Sequence, residues 1–298
     1  MKFKNVLAAA ALGGSLLVMS SSASALVIQD AWQLDSTGAG GGLTTDIGHI
    51  VVSGGQATIT QELNAAGELF VGARFEEFGG LFTLTYTPEN CPGGCDSGAP
   101  EVLTGGNHSI GFSGLTGIIS NINPDGSFAY TFDIGQGDVW FNYGTDGTQG
   151  VNEIATFSIA SPSGGTLANF FGAVNTSGTT NILARVQSSL PGVFRDSTGN
   201  AFDDQIAEGN LFIALDTTNQ IFEEAELLGS GATGACPWGD AALCSQLVVT
   251  SQGKIDLLAA VPEPGTLALL GLGLLGLAAW RRKGSHLQVN KQFEQKAA

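Results

Sequence analysis

Apolar and polar positions alternate with a period of two through most of the chain's middle. The runs are "QATITQEL" (56–63), "LFTLTYT" (81–87), "SFAYTFDI" (127–134), "DVWFNYG" (138–144), "IATFSIA" (154–160), "NILARVQS" (181–188), "NLFIALDTT" (210–218) and "SQLVVTS" (245–251). In "LFTLTYT", Phe82, Leu84 and Tyr86 share one face while threonines hold the other. Successive side chains of a strand point to opposite faces, so this period marks a strand with one buried side. Turn signals such as Asn123-Pro124-Asp125-Gly126 and Asp146-Gly147 separate the runs. Helical periodicity is scarce, and no steady repeat of solenoid length is visible. The pattern predicts an all-β body, an antiparallel β-sandwich or jelly roll.

Both ends break this pattern. Lys2 and Lys4 precede an uncharged apolar stretch over residues 6–19, and Ala23 and Ala25 take the small-residue positions of a cleavage site. Residues 1–25 therefore read as a signal peptide, cut between Ala25 and Leu26 by signal peptidase after entry into the Sec export machinery. Near the other end, residues 265–280 contain neither charge nor proline. As a helix they would extend about 24 Å, against roughly 30 Å for a hydrocarbon core. Trp280 suits the interface, and Arg281, Arg282 and Lys283 form a basic stop on the cytoplasmic side. The run has no polar face, unlike a soluble core helix, so one C-terminal transmembrane helix is expected. The organisation is then signal peptide 1–25, exported β-rich body 26–260, sorting segment 261–283 and polar tail 284–298.

Pro262-Glu263-Pro264, the apolar span and Arg281-Arg282, in that order, resemble the PEP-CTERM sorting signal of Gram-negative bacteria. The resemblance implies an exosortase as partner, a membrane transpeptidase-like enzyme with a cysteine nucleophile that removes the tail near the Pro-Glu-Pro. Anchoring would then be transient. The protein would pass through the inner membrane and remain at the cell surface or in the extracellular matrix after C-terminal processing. Residues 284–298 depart from the family, which usually stops soon after its arginines. The two prolines disfavour helix, which suits an extended, accessible cut site. The stretch "LFVGARFEEFGGLFTLTYTPENC" after a Gly/Thr-rich start is also similar to the flocculation-associated PEP-CTERM group. That likeness implies a protein needed for cells to aggregate within secreted polysaccharide.

Charge narrows the partners. Between residues 26 and 260 the basic side chains are four, Arg74, Arg185, Arg195 and Lys254, against 25 acidic ones, a net charge of −21. Such a surface repels nucleic acid and anionic lipid and attracts divalent cations, through which it would bridge to anionic polysaccharide. The four cysteines form two local pairs. An exported chain with an even count favours disulfides. Three connectivities exist, and proximity favours Cys91–Cys95 with Cys236–Cys244. Neither spacing is C-x-x-C and neither pair has a nearby histidine, so zinc is disfavoured.

Enzyme chemistry finds little material. Only His49 and His108 lie in the body, without a G-x-S-x-G elbow or an H-E-x-x-H helix. Glu76-Glu77, Asp203-Asp204 and Glu223-Glu224 are candidate carboxylate pairs for glycoside hydrolysis, which needs two carboxyls roughly 5 to 10 Å apart. Adjacent strand residues face opposite ways, so each doublet reads more simply as one exposed acid plus a loop contact. Asp133, Asp138, Asp146 and Glu153 are candidate calcium ligands without EF-hand or nonapeptide spacing; no other cofactor is implied. Trp140, Phe141, Tyr143 and Trp238 read as core aromatics, with Trp238 the most exposed candidate for stacking on sugar. The sequence thus points to a non-enzymatic exported matrix protein with no catalytic residues. The alternative is a secreted carbohydrate-active enzyme or a polysaccharide-binding lectin.

Overall fold

Each alternating run becomes part of a strand, and the strands follow one another around a barrel that closes on itself. The computed structural model describes residues 24–89, 101–104, 106–144, 148–168, 177–228, 236–239 and 243–262, with no account of the side chains of 24, 221–228 and 262. The strands are β1 (Ser24–Ile28), β2 (Trp32–Asp35), β3 (Leu43–Leu63), β4 (Arg74–Pro88), β5 (Glu101–Val102), β6 (His108–Ile122) and β7 (Phe128–Phe132). They continue as β8 (Asp138–Tyr143), β9 (Glu153–Leu167), β10 (Ser177–Ser189), β11 (Phe194–Arg195), β12 (Leu211–Leu228) and β13 (Leu243–Pro262). One short helix, α1 (Asp203–Ala207), lies between β11 and β12. Val27–Ala259 form one compact unit.

The wall is an up-and-down meander. β7 and β8 are two halves of one interrupted strand: Phe132 pairs with Gly117 and Asp138 with Ser113, both on β6. β9 receives the same two halves on its other side. Counting them as one, eight antiparallel strands run β3, β4, β6, β7/β8, β9, β10, β12, β13, and β13 pairs back to β3 from Leu243↔Leu63 to Ile255↔Ile50. Every wall strand hydrogen-bonds its sequence neighbour. The sheet is therefore a barrel rather than the sandwich or jelly roll the alternation suggested. Alternation specifies a buried face, and a sheet curled upon itself satisfies that as well as two sheets packed together. Bulges at Val52/Gly54, Glu77/Gly79 and Ile119/Asn121 supply the bending.

One end is plugged. The segment joining β10 to β12 lays β11 beside β2 and α1 against β10, and Trp32, Leu34, Val193, Phe194 and Phe202 fill the mouth. The rings of Trp32 and Phe194 lie 6.2 Å apart. Arg195 closes this cap with an ion pair to Asp35 at 3.0 Å. β1 runs beside β13 where β3 has diverged toward β2, and the Gln29 amide donates to the Leu257 carbonyl at 2.8 Å.

The wall's faces are unequal. Ile59, Leu81, Ile110, Leu115, Ile159, Ala184, Ile213 and Ile255 point inward. Outward on β10 and β12 stand Thr179, Asn181, Arg185, Gln187, Asp216, Thr218 and Gln220. A barrel that crosses a bilayer shows an apolar belt outside and a polar lumen; the outward side of β10 and β12 is polar instead. Among the described residues no helix is long and apolar enough to cross a membrane. The expected span over 265–280 lies outside them.

Candidate functional site

Polar chemistry inside the barrel gathers in one layer. On β7, Tyr130 faces Gly165 of β9, and Gly165 faces Thr180 of β10. A Cβ on Gly165 would stand 2.5 Å from the tyrosine hydroxyl. The missing side chain is thus the opening through which Tyr130 reaches across a strand to Thr180, with Oη and Oγ1 2.5 Å apart. Asn219 of β12 donates its Nδ2 to the same Thr180 Oγ1. Its Oδ1 accepts from Thr217 Oγ1 at 3.1 Å and Ser251 Oγ at 3.0 Å. Four strands are tied by this network. Phe75 completes the layer, edge-on to Tyr130 at 5.5 Å and to Phe132 at 5.3 Å.

Glu77 stands beside this network without joining it. It lies on β4 between Ile59 of β3 and Leu115 of β6. No hydrogen bond or ion pair holds its carboxyl, and among the described side chains lining the lumen it is the sole charged one. Its side chain is partly buried and borders both internal chambers. Removal from water without a compensating partner disfavours the charged form, and burial raises the Glu77 pKa to about 7. Burial, and next the Glu77 charge, push the Tyr130 hydroxyl far above the ordinary phenol range. Gln61, two residues along β3 from Ile59, is 2% exposed and its Oε1 receives no donor. Ser245, opposite Gln61 in the β3–β13 register, also has a buried hydroxyl without a partner.

The lumen is divided. A chamber of about 40 Å³ is lined mainly by aliphatic side chains. A second, of about 20 Å³, is lined by Gln61, Glu77, Tyr130, Thr180 and Asn219 with a few apolar neighbours. Glu77, Thr180 and Asn219 border both. A water needs roughly 10–15 Å³ measured this way, whereas pockets for organic ligands run to hundreds of Å³. These chambers fit water-sized species and exclude a sugar ring.

His108 sits near the plugged end, fully buried. Its Nδ1 lies 3.1 Å from the Gly106 carbonyl, which can only accept, so Nδ1 carries the proton. Nε2 lies 3.1 Å from Ser36 Oγ, whose one proton also has the Gly42 carbonyl at 3.0 Å as an acceptor, while Ser36 Oγ itself accepts the Gly42 amide at 3.1 Å. Burial holds the imidazole pKa down to about 4. This is a Ser–His pair without a carboxylate on the histidine, enclosed in the core. It supports the plug and leaves no room for an acyl substrate.

Sequence-derived candidates fall in scattered places. Glu76 and Glu77 take opposite sides of the wall, as strand alternation requires, but the inward member is a lumen carboxyl and not a loop contact. Asp203 accepts the Gly192 amide at 2.9 and 3.1 Å; the side chains of Glu223 and Glu224 lie outside the described set. Asp133 accepts from Thr116 Oγ1 at 2.8 Å, Glu153 accepts the Gly150 amide at 3.2 Å, and Asp138 is exposed at the start of β8. Among the described residues no three His, Cys, Asp or Glu side chains come together. Trp140 and Phe141 are buried, and Tyr143 packs against the core. Trp238 is half-buried beneath Arg74, whose guanidinium lies 5.2 Å from the ring centre and ion-pairs Glu62 at 2.9 Å. Cys236 and Cys244 form a disulfide with Cα atoms 5.7 Å apart; Cys91 and Cys95 lie outside the described residues. Ala25 and Leu26 are exposed on β1. Pro262 is the last residue of β13, and Glu263, Pro264, Arg281, Arg282 and Lys283 lie beyond the described part.

No curated protein and no solved structure matches the chain. One family model does match, that of the PEP-CTERM protein-sorting motif, over residues 260–283. The motif therefore begins on the last residues of the strand that closes the barrel. The chain carries the sorting signal of an exported, exosortase-processed protein of the cell envelope or surface.

Proposed function

We propose that this is a non-catalytic β-barrel protein exported through the inner membrane of a Gram-negative bacterium and released by exosortase near Pro262-Glu263-Pro264. Signal peptidase and the Sec machinery handle its N-terminus, and membrane anchoring is transient. In the extracellular matrix it supports polysaccharide-dependent cell aggregation. The sorting motif abutting the closing strand carries this reading, because it leaves the barrel as the product delivered outside. Two features of the barrel support it. β10 and β12 are polar outward and the body is strongly acidic, which suits a hydrated matrix. The lumen has no room for a sugar and offers one carboxyl where glycoside hydrolysis needs two. Deleting the gene should abolish aggregation, and wild-type protein should restore it, as should a Glu76→Gln/Glu77→Gln form. Intact mass of the matrix fraction should show an N-terminus at Leu26 and a C-terminus near residue 262. Aggregation unchanged by the deletion would end the matrix reading.

A further inference from the structure

On the outer wall, Phe78 and Phe82 of β4 are 47% and 40% exposed. Phe82 leans back along its strand, since a Cβ on Gly80 would stand 2.7 Å from the tip of its ring. The ring therefore lies along the wall instead of standing off it. Beside it, strand register sets a row of outward amides and hydroxyls. Gln56 of β3, opposite Gly80, pairs with Thr250 of β13, and Thr250 pairs with Gln220 of β12. Thr218, the next outward residue of β12, pairs with Thr179 of β10, which pairs with Thr166 of β9. Five gaps of about 4.8 Å separate β4 from β9 along this path, so the row extends roughly 24 Å around the wall. No side chain in it is charged, in a body with four basic and 25 acidic residues. Glu76, Asp216 and Lys254 stand just outside it.

We propose that this row is a binding surface for a neutral polysaccharide, with Phe78 and Phe82 as its stacking end. The inference rests on the matrix reading above and adds to it the charge class of the polymer and the surface that holds it. A sugar ring is apolar on its C–H faces and polar around its rim. Exposed phenyl rings match the faces. Gln and Thr side chains, which both donate and accept, match the rim, whereas a carboxylate only accepts. Existing bonds leave that capacity open. Thr218 Oγ1 donates to the Gln252 carbonyl at 3.3 Å, Thr250 Oγ1 to the Gln220 carbonyl at 3.4 Å, and Thr166 and Thr179 share one bond at 3.2 Å. Each hydroxyl keeps a lone pair for a further donor. Charge selects the polymer. An anionic chain is repelled by the acidic body, and a second copy of this protein meets the same repulsion. A neutral chain lies across the row without it.

Native gels cast with hydroxyethylcellulose, dextran or alginate test this on the processed protein. The expected result is retardation in a neutral gel and none in alginate. Phe82→Ala should weaken the retardation about tenfold. Thr179→Glu/Thr218→Glu, which sets two charges in the middle of the row, should abolish it. Gln187→Glu, outward on β10 but off the row, should leave it unchanged. All four positions are exposed, and an unchanged melting temperature shows that each variant keeps its barrel. In a deletion strain, the Thr179→Glu/Thr218→Glu protein should reach the matrix without restoring aggregation. Mobility unaffected by either neutral polymer would overturn the proposal, as would retardation that survives Thr179→Glu/Thr218→Glu. Retardation by alginate alone would overturn it in favour of an anionic partner. The matrix reading stands or falls separately, on whether the deletion itself abolishes aggregation.

Discussion

Glu77→Gln is expected to stabilise the barrel, and by an amount that depends on pH. An unfolded chain exposes the carboxyl with its ordinary pKa of 4.5, whereas enclosure raises it to about 7. Below pH 4.5 both states are protonated and the glutamate costs nothing. Between 4.5 and 7 the unfolded chain gives up its proton while the folded barrel keeps it, so stability falls as pH rises. Above 7 the loss is complete. A shift of about 2.5 units at 1.36 kcal/mol per unit gives roughly 3 kcal/mol. For a body of this length that is on the order of 6–12 °C in melting temperature. Glutamine keeps the size and cannot ionise, so the difference between variant and wild type isolates this one group. Urea midpoints for both proteins in choline chloride, from pH 4 to pH 9, would measure it. The two curves should meet near pH 4 and diverge to a plateau above pH 7. A constant difference across that range, or a variant less stable at pH 9, would refute the reasoning from desolvation.

Three further outcomes follow from particular contacts. His108 stays neutral in the fold because burial lowers its pKa to about 4; its contribution is complete above pH 6.5 and lost as pH falls toward 4, by up to about 3 kcal/mol. His108→Gln should flatten that acid limb in the same urea series. Gly117→Ala should destabilise by about 1–3 kcal/mol in chemical denaturation, because its Cβ would stand 2.5 Å from the Phe75 ring and press on the Thr131 carbonyl. Replacing Cys236 and Cys244 by serine opens a short loop, with an expected loss of about 2–3 kcal/mol read as a lower melting temperature.

The eight alternating runs all fall on wall strands, because period-two patterning reports directly on a surface with one wet and one dry side. β6 left no such run. Gly111, Gly114 and Gly117 interrupt its alternation: Trp140 and Phe75 press close at Gly111 and Gly117, and Gly114 takes a φ of +63°. Closure was not legible, since the pairing of Ile50 with Ile255 joins residues at opposite ends of the body and leaves no local signal. The sorting motif was legible in full because it is a linear signal. Glu77 was missed for a related reason. The alternation argument set Glu76 and Glu77 on opposite faces and read the doublet as one exposed acid plus a loop contact, whereas closure of the wall makes the second face a chamber. Gln61, at the end of "QATITQEL", likewise acquires its meaning from the strand that folds over it.

The strand that seals the barrel is also the last synthesised of the described strands, and the motif begins on its final residues. Until β13 emerges, β3 and β12 present bare edges on which any passing chain can build. A truncated product lacks both the seal and the tag. Possession of the tag thus certifies completeness: no chain reaches the processing enzyme unless it has already delivered the strand that removes its own capacity to aggregate.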